Sequence, residues 1–342
     1  MFEMARLLKH EVVAKIAEIG LLPTFYEGDL ETAKKIIVAC AEGGAKVVEF
    51  TNRGALAYQV FSELVKWRDK ELPDVILGAG TIIEPSAASL YINCGANFIV
   101  GPVFNLEIAK VCNRYKVAYV PGCGTPSEIS RAEEMGADII KIFPADVLGP
   151  QFIKDILGPC PWSRLMPSGG VEATKESISS WIKAGAVAVN MGSNLIVRDF
   201  VKAGNFEAIK KRVENCIQWI RESRGIPLFM GVEHVAIYPT EKASANAIAD
   251  WYARTFGFTK KEGQSSIMLS GAGTGKIEVM KSPEKDVHGH VAIYVSNFEA
   301  ACNYLKEKGI ELEEPTIKAG VKAVYLKGKD PAGNKVHLIY RP

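Results

Sequence analysis

Lys141 stands inside DIIKIFPAD, an apolar stretch where an amine is out of place unless it has work to do. If the stretch is a strand, alternation puts Lys141 and Phe143 on one face and Ile140 and Ile142 on the other. A lysine buried there loses hydration of its charged form, so its pKa falls toward neutrality and the free amine can attack a ketone. A lysine that snorkels from a strand end to pair with a carboxylate is the alternative. Glu49, in VVEFTNR, alternates in the same way with Val47 and Thr51. On that face a carboxylate can act as general acid/base on a carbinolamine and a substrate hydroxyl, or it can form a structural ion pair with Lys141 or Arg53. Arg53, just past the strand, offers a planar fork suited to a carboxylate, although an isolated arginine is more often a surface residue.

A second set of groups lies toward the C-terminus. EHVAIY at 233–238 and GHVAIY at 289–294 share five residues, and KIEVM at 276–280 matches KVHLI at 335–339 in pattern. Aligning these repeats pairs His234 with His290 and Glu278 with His337. Two side chains from each half, three imidazoles and a carboxylate, can surround a divalent metal. A metal-free binding or packing module with satisfied histidines is the alternative.

These groups need elements to hold them. Up to about residue 224, eight short β-branched runs (21–26, 46–51, 75–80, 97–101, 117–122, 138–144, 164–169 and 186–192) alternate with amphipathic helical stretches. That order predicts an α/β fold, a parallel sheet closed into a (β/α)8 TIM barrel over residues 1–225. An open doubly wound sheet would usually carry G-x-G-x-x-G after its first strand, and none is present. Gly, Pro, Ser, Thr and charged residues cluster at the C-terminal strand ends (EFTNR, GAGT, PGCGT, KIFP, SGG, MGSN), where a barrel builds its site. The Gly-Ala turns EGGA, NCGA, EMGA and KAGA read as helix C-caps. From 231 to 342 the order becomes strand–helix–strand–strand–strand, run twice: a smaller α+β domain of two βαβββ units.

Composition excludes several classes. The chain has 342 residues, 48% hydrophobic and 23% charged, enough for a full core in each half. A net charge of +2 calls for neither nucleic acid nor an anionic membrane. No apolar run approaches membrane-spanning length, and the N-terminal stretch has no signal-peptide core. Seven scattered cysteines, an odd number with no CxxC pair, predict reduced thiols in a cytoplasmic protein.

In order and spacing, VVEFTNR, LGAGT, VGP, VPGCGT, KIFPAD, SGG and MGS resemble the motifs of the 2-keto-3-deoxy-6-phosphogluconate / 4-hydroxy-2-oxoglutarate aldolase family over residues 10–220. The resemblance implies that Lys141 is the Schiff-base lysine and Glu49 the general acid/base. It implies that Arg53 and Thr81 hold the pyruvate carboxylate and neighbouring oxygens, and that Pro102, Pro121 and Phe143 wall the pocket. Gly169, Gly170, Gly192 and Ser193 match a phosphate cradle at the ends of strands seven and eight. The implied activity is reversible cleavage of a 2-keto-3-deoxy sugar acid, or of 4-hydroxy-2-oxoglutarate, to pyruvate and an aldehyde, in a homotrimer and without a cofactor. Asn52 and Ser168 depart from the common motif. Ser168 is expected near the distal end of the sugar acid, and these changes leave a non-phosphorylated 2-keto-3-deoxy aldonate as the alternative substrate.

Residues 230–342 resemble the vicinal oxygen chelate (glyoxalase/bleomycin-resistance/dioxygenase) superfamily, on the repeat and on the closing DPAGNKVHLIY. There His337 stands where a Glu is usual, which keeps a ligand but removes a carboxylate often used as a base. The resemblance implies a metal-dependent isomerase, lyase or dioxygenase. A module that senses or delivers a sugar acid, or shapes the oligomer, is the alternative.

Overall fold

Nine short strands carry the first part of the chain: β1 (Leu21–Phe25), β2 (Val47–Thr51), β3 (Ile76–Gly80), β4 (Phe98–Val100), β5 (Ala118–Val120), β6 (Gly122–Cys123), β7 (Ile140–Ile142), β8 (Leu165–Pro167) and β9 (Val189–Met191). In this computed structural model the described residues are 7–271, 273, 275–283, 289–318, 320–331 and 333–341. They divide into two units, Met1–Arg224 and Gly225–Pro342. Each predicted strand of the first unit is present, trimmed at its ends where the residues turn into loops.

The ladders are parallel, in the orders β5-β4-β3-β2-β1-β9 and β6-β7-β8. β5 and β6 are one run interrupted at Pro121, which has no N–H to give to a ladder. A parallel bridge between Ser168 and Asn190 joins β8 to β9. The result is a curled parallel sheet of the (β/α)8-barrel type. The Gly-Ala turns follow helix ends: Gly44, Gly95, Gly136 and Gly185 all take positive φ there.

Period-two alternation sorts the side chains into an inner and an outer set. Ile140 and Ile142 belong to the outer cluster, packed with the helices. Leu22, Val47, Ile76, Phe98, Ala118, Ile139, Met166 and Ala188 form a separate inner cluster, closed by Val12, Val13 and Ile16 of the helix Lys9–Ile19. Two residues further along the same strands, the inner face turns polar at Thr24, Glu49, Lys141, Ser168 and Asn190. The apolar layer is therefore the floor on which these groups stand.

The second unit contains β10 (Phe229–Ile237), the helix Ala245–Phe256, β11 (Thr259–Glu262), β12 (Ser266–Ser270) and β13 (Lys276–Met280). The order then recurs as β14 (Gly289–Val295), the helix Phe298–Glu307, β15 (Thr316–Lys318), β16 (Val321–Lys329) and β17 (Lys335–Tyr340). They make one mixed sheet in the palindromic order β11-β12-β13-β10-β14-β17-β16-β15. Register is symmetric about the central antiparallel pair. His234 faces Ala292 and Ala236 faces His290, while Ala236 lies beside Glu278 and Ala292 beside His337. No described helix in either unit is long and apolar enough to cross a membrane, and all seven cysteines are free.

Candidate active site

A cavity of about 650 Å³ opens at the C-terminal ends of β1, β2, β7, β8 and β9. Glu49 and Lys141 lie at its base, 2% and 8% exposed. Burial pushes the Lys141 ammonium below its ordinary value of 10.5; Glu49 pulls the other way, and Arg53 adds to the depression. The Lys141 amine stands 4.9 Å from the centre of the Phe143 ring. Among the described residues, Glu49 forms no ion pair with Lys141 or Arg53. The amine is thus held in a carboxylate's field without being spent in a salt bridge.

Glu49 Oε2 instead accepts a hydrogen bond from Asn190 Nδ2 (3.0 Å), and the same Nδ2 donates to the Leu22 carbonyl (3.1 Å). Asn190 Oδ1 accepts from Ser168 Oγ (2.6 Å). Asn190 was not among the residues expected from the sequence. Its signal was alternation: in AVAVNMG it shares the phase of Ala188 and Gly192. Ser168, expected toward the distal end of the substrate, is buried and directs its proton inward to Asn190.

Arg53 Nε donates to Thr81 Oγ1 (3.2 Å), and its terminal nitrogens have no protein partner among the described residues. Thr81 itself holds φ +58°, a left-handed conformation that costs a side-chain-bearing residue about 1 kcal/mol or more. It braces Arg53 from outside the cavity lining. Pro102 and Pro121, expected as pocket walls, do not line the cavity either. They follow β4 and β5, strands that contribute no residue to the lining, and the Pro121 carbonyl accepts the Lys141 N–H (2.9 Å). Asn52 also points away, its side-chain carbonyl accepting from the Tyr91 hydroxyl (3.0 Å). Gly169, Gly170, Gly192 and Ser193 all line the cavity, and so does Arg198, a cation with no partner among the described residues. Gly169 and Gly170 take φ of +87° and +71°. The Thr24 hydroxyl, in the wall beside them, is buried without a hydrogen-bond partner among the described residues.

The second unit gathers its own polar cluster. His234 Nε2, His290 Nε2 and Glu278 Oε2 form a triangle with sides of 3.1, 3.1 and 3.2 Å. Ser266 donates to the other Glu278 oxygen (2.6 Å). His337, stacked on Tyr325 at 4.6 Å, offers a third imidazole, with the ligand atoms of the three histidines within 4.8 Å of one another. Both its ring nitrogens are buried without a partner among the described residues. Hydrogen bonds from His234 and His290 hold the Glu278 carboxyl well below the usual carboxylate range. Burial works against the His234 imidazolium, but hydrogen bonds to Glu233 and Glu278 outweigh it and raise that pKa to about 9. Burial, reinforced by His290 and His234, pushes His337 down to about 4. Glu233, adjacent to His234 and bonded to its Nδ1, was not anticipated from the sequence. Lys276 (2.7 Å) and Arg341 (3.2 Å) flank it.

A barrel that opens onto a buried amine and a carboxylate, free of each other in one cavity, meets the needs of a lyase acting on carbon–carbon bonds. Comparison with known proteins makes that class the protein's own. The chain belongs to the KDPG and KHG aldolase family, whose model matches residues 12–212. The model of the Glyoxalase/Bleomycin resistance protein/Dioxygenase superfamily matches residues 232–338. A 2-dehydro-3-deoxy-phosphogluconate aldolase of Haemophilus influenzae is 26% identical over 212 residues, 62% of this chain and 97% of that protein. A 2-dehydro-3-deoxy-6-phosphogalactonate aldolase of Escherichia coli is 35% identical over 121 residues, 35% of this chain and 58% of its own length. Among solved structures, the KDPG aldolase of Legionella pneumophila, with pyruvate captured as a covalent carbinolamine, superposes with a TM-score of 0.55 at 26% identity. That match covers 59% of this chain and 96% of the other.

Proposed function

We propose that the barrel cleaves a 2-keto-3-deoxy sugar acid to pyruvate and an aldehyde through a Schiff base on Lys141. The observation that carries this reading is the buried Lys141 amine, its pKa lowered by burial, sharing its cavity with a Glu49 that forms no ion pair among the described residues. The neutral amine adds to the keto carbon, and Glu49 passes the protons that turn the carbinolamine into an iminium ion and water. Glu49 then takes the proton of the C4 hydroxyl as the C3–C4 bond breaks. The bonding pair moves into the iminium, giving an enamine and releasing the aldehyde. Protonation at C3 and hydrolysis return pyruvate and the free amine. Because the iminium is the electron sink, the barrel chemistry calls for no metal. Arg53, braced by Thr81, suits the pyruvate carboxylate. The amides of Gly169, Gly170, Gly192 and Ser193, with Arg198, suit an anionic tail, which favours a 6-phosphorylated substrate over the plain aldonate.

Borohydride added with pyruvate should fix a reduced adduct on the peptide bearing Lys141; a wild-type protein left unlabelled there would sink the mechanism. A panel of 2-keto-3-deoxy sugar acids, with and without 6-phosphate, tests the tail. From the family we also infer a cytoplasmic homotrimer, and sedimentation of the purified protein checks the stoichiometry.

For the second unit we propose a divalent-metal centre held by His234, Glu278, His290 and His337. Ligands about 2.0–2.1 Å from a tetrahedral ion stand about 3.3 Å apart, close to the spacing of the His234–His290–Glu278 triangle. The partnerless His337 nitrogens fit a fourth ligand. Glu233 would fix the His234 ring so that Nε2 faces the ion. A metal there would supply Lewis acidity toward paired substrate oxygens. Metal analysis and melting of untagged protein, with and without chelator, test the site. Lack of stoichiometric metal and an unchanged melt in His234→Ala would favour a metal-free module.

A further inference from the structure

We propose that Asn190 is a positioning residue that holds the Glu49 carboxylate in its working orientation, and that Ser168 holds the far end of the Asn190 amide in place. This rests on the reading of Lys141 and Glu49 as the reacting pair.

Asn190 is 1% exposed, and its neighbours determine its orientation. The Leu22 carbonyl and the Glu49 carboxylate can only accept, so the atom between them must be the amide NH2, which has a proton for each. Reversing the amide would set three acceptors against one another. With the orientation set by those two acceptors, the Ser168 hydroxyl completes the arrangement by donating to Oδ1 at 2.6 Å. The Ser168–Asn190 backbone bridge places both residues at the seam that closes the barrel, so the pair is anchored by main chain as well as side chain.

The opposite side of Glu49 is equally defined. Its Oε1 stands so close over Gly80 that a Cβ there would lie 1.7 Å from it. With Oε2 bound to Asn190 and Oε1 seated over the bare backbone of Gly80, Oε1 is the oxygen left without a hydrogen bond among the described residues. A proton carrier that must serve carbinolamine, hydroxyl and C3 in turn depends on that oxygen keeping its place, because a misplacement of about 1 Å can cost on the order of 10²-fold in rate. Ser168 has one proton and gives it to Asn190, so toward the cavity its hydroxyl can only accept.

Exchange of pyruvate methyl protons in D2O, followed by NMR, reads imine formation and C3 proton transfer without any aldehyde. Borohydride trapping at Lys141 runs in parallel. Asn190→Leu should slow exchange by about 10- to 100-fold with little change in the pyruvate concentration at half-saturation, while trapping still marks Lys141. In a Glu49→Gln background the same change should cost less than about twofold, since the group it acts through is gone. Equal loss in both backgrounds, or full exchange in Asn190→Leu, would overturn the assignment. Should Asn190→Leu not fold, Ser168→Ala carries the same comparison, with Ser168→Thr restoring the rate. Failure to trap pyruvate on wild-type Lys141 would overturn the Schiff-base reading itself. Trapping together with additive losses would remove the Asn190 assignment alone.

Discussion

Gly80 ends β3 beside Thr51, with an unexceptional φ, so its backbone accepts any L-residue. The cost of Gly80→Ala is therefore steric and falls on Glu49. The new Cβ would stand 1.7 Å from Oε1, 2.5 Å from Cδ and 2.8 Å from Cγ, against an ordinary contact of 3.4 Å. Glu49 must retreat by well over 1 Å, and any retreat pulls against its 3.0 Å bond from Asn190. A displacement of that size costs about 10²-fold in turnover, about 2.7 kcal/mol of barrier. The crowding itself costs about 1–3 kcal/mol of stability. Pyruvate release, read through a coupled dehydrogenase, should show kcat falling about 100-fold while KM moves far less. Thermal melts should show the stability loss. In a Glu49→Ala background the added methyl has room, so Gly80→Ala should then leave the melt nearly unchanged. Activity within about threefold of wild type, or the same destabilisation with Glu49 absent, would refute this account of how the carboxylate is seated.

Lys141→Met should abolish turnover yet stabilise the fold at neutral pH by about 0.5–2 kcal/mol, a usual range for stabilising substitutions, because burial disfavours the ammonium even with Glu49 nearby. Since the folded pKa lies below the unfolded value of 10.5, the unfolded chain binds more protons in that window. Wild-type stability should therefore rise with pH from the folded pKa up to 10.5, relative to the variant. Denaturant melts at several pH values would show the variant's advantage shrinking; an advantage that grows with pH has the wrong sign. Thr24→Val keeps the shape of the side chain and removes a buried hydroxyl without a partner, so the melt should rise by about 1–2 kcal/mol. If that hydroxyl receives a substrate oxygen, KM should rise several-fold at the same time. A destabilised Thr24→Val would mean that the hydroxyl is satisfied.

The eight-strand barrel was legible because each strand writes its two faces in alternate residues, and Lys141, Phe143 and Glu49 fall in the inward phase. The same rule, applied to every strand, would also have read Thr24 and Asn190 as inward polar residues and excluded Asn52, which follows inward Thr51. Motif likeness drew attention to Gly192 and Ser193 and away from the asparagine two residues earlier. The partner of Ser168 was not legible. It depends on which strands meet at the seam, and no local pattern ties residue 168 to residue 190. In the second unit, the repeat made the His234, His290, Glu278 and His337 pairing readable. Glu233 escaped because alternation assigns it to the other face. Its carboxylate nonetheless reaches the neighbouring His234 Nδ1, on a strand whose register against β14 shifts between Val232 and His234.

Each unit sets a glutamate among polar partners, and the difference in what satisfies it separates the chemistry proposed for them. Glu278 has both oxygens engaged, Oε1 by Ser266 and Oε2 by two imidazoles, with a third imidazole nearby. A carboxylate so committed has no free oxygen with which to shuttle a proton; under the proposed metal reading, a cation would take the place of the imidazole protons that Oε2 now accepts. Glu49 has one oxygen held by a neutral amide, which orients it without cancelling its charge, and among the described residues the nearby amine forms no ion pair. An arginine in place of Asn190 would satisfy the carboxylate better and would also fix it as an anion, ending the use as a proton carrier proposed for it. A neutral donor on one oxygen, with no donor on the other among the described residues, is thus what a general acid/base needs, and saturation by imidazoles is what a metal ligand tolerates.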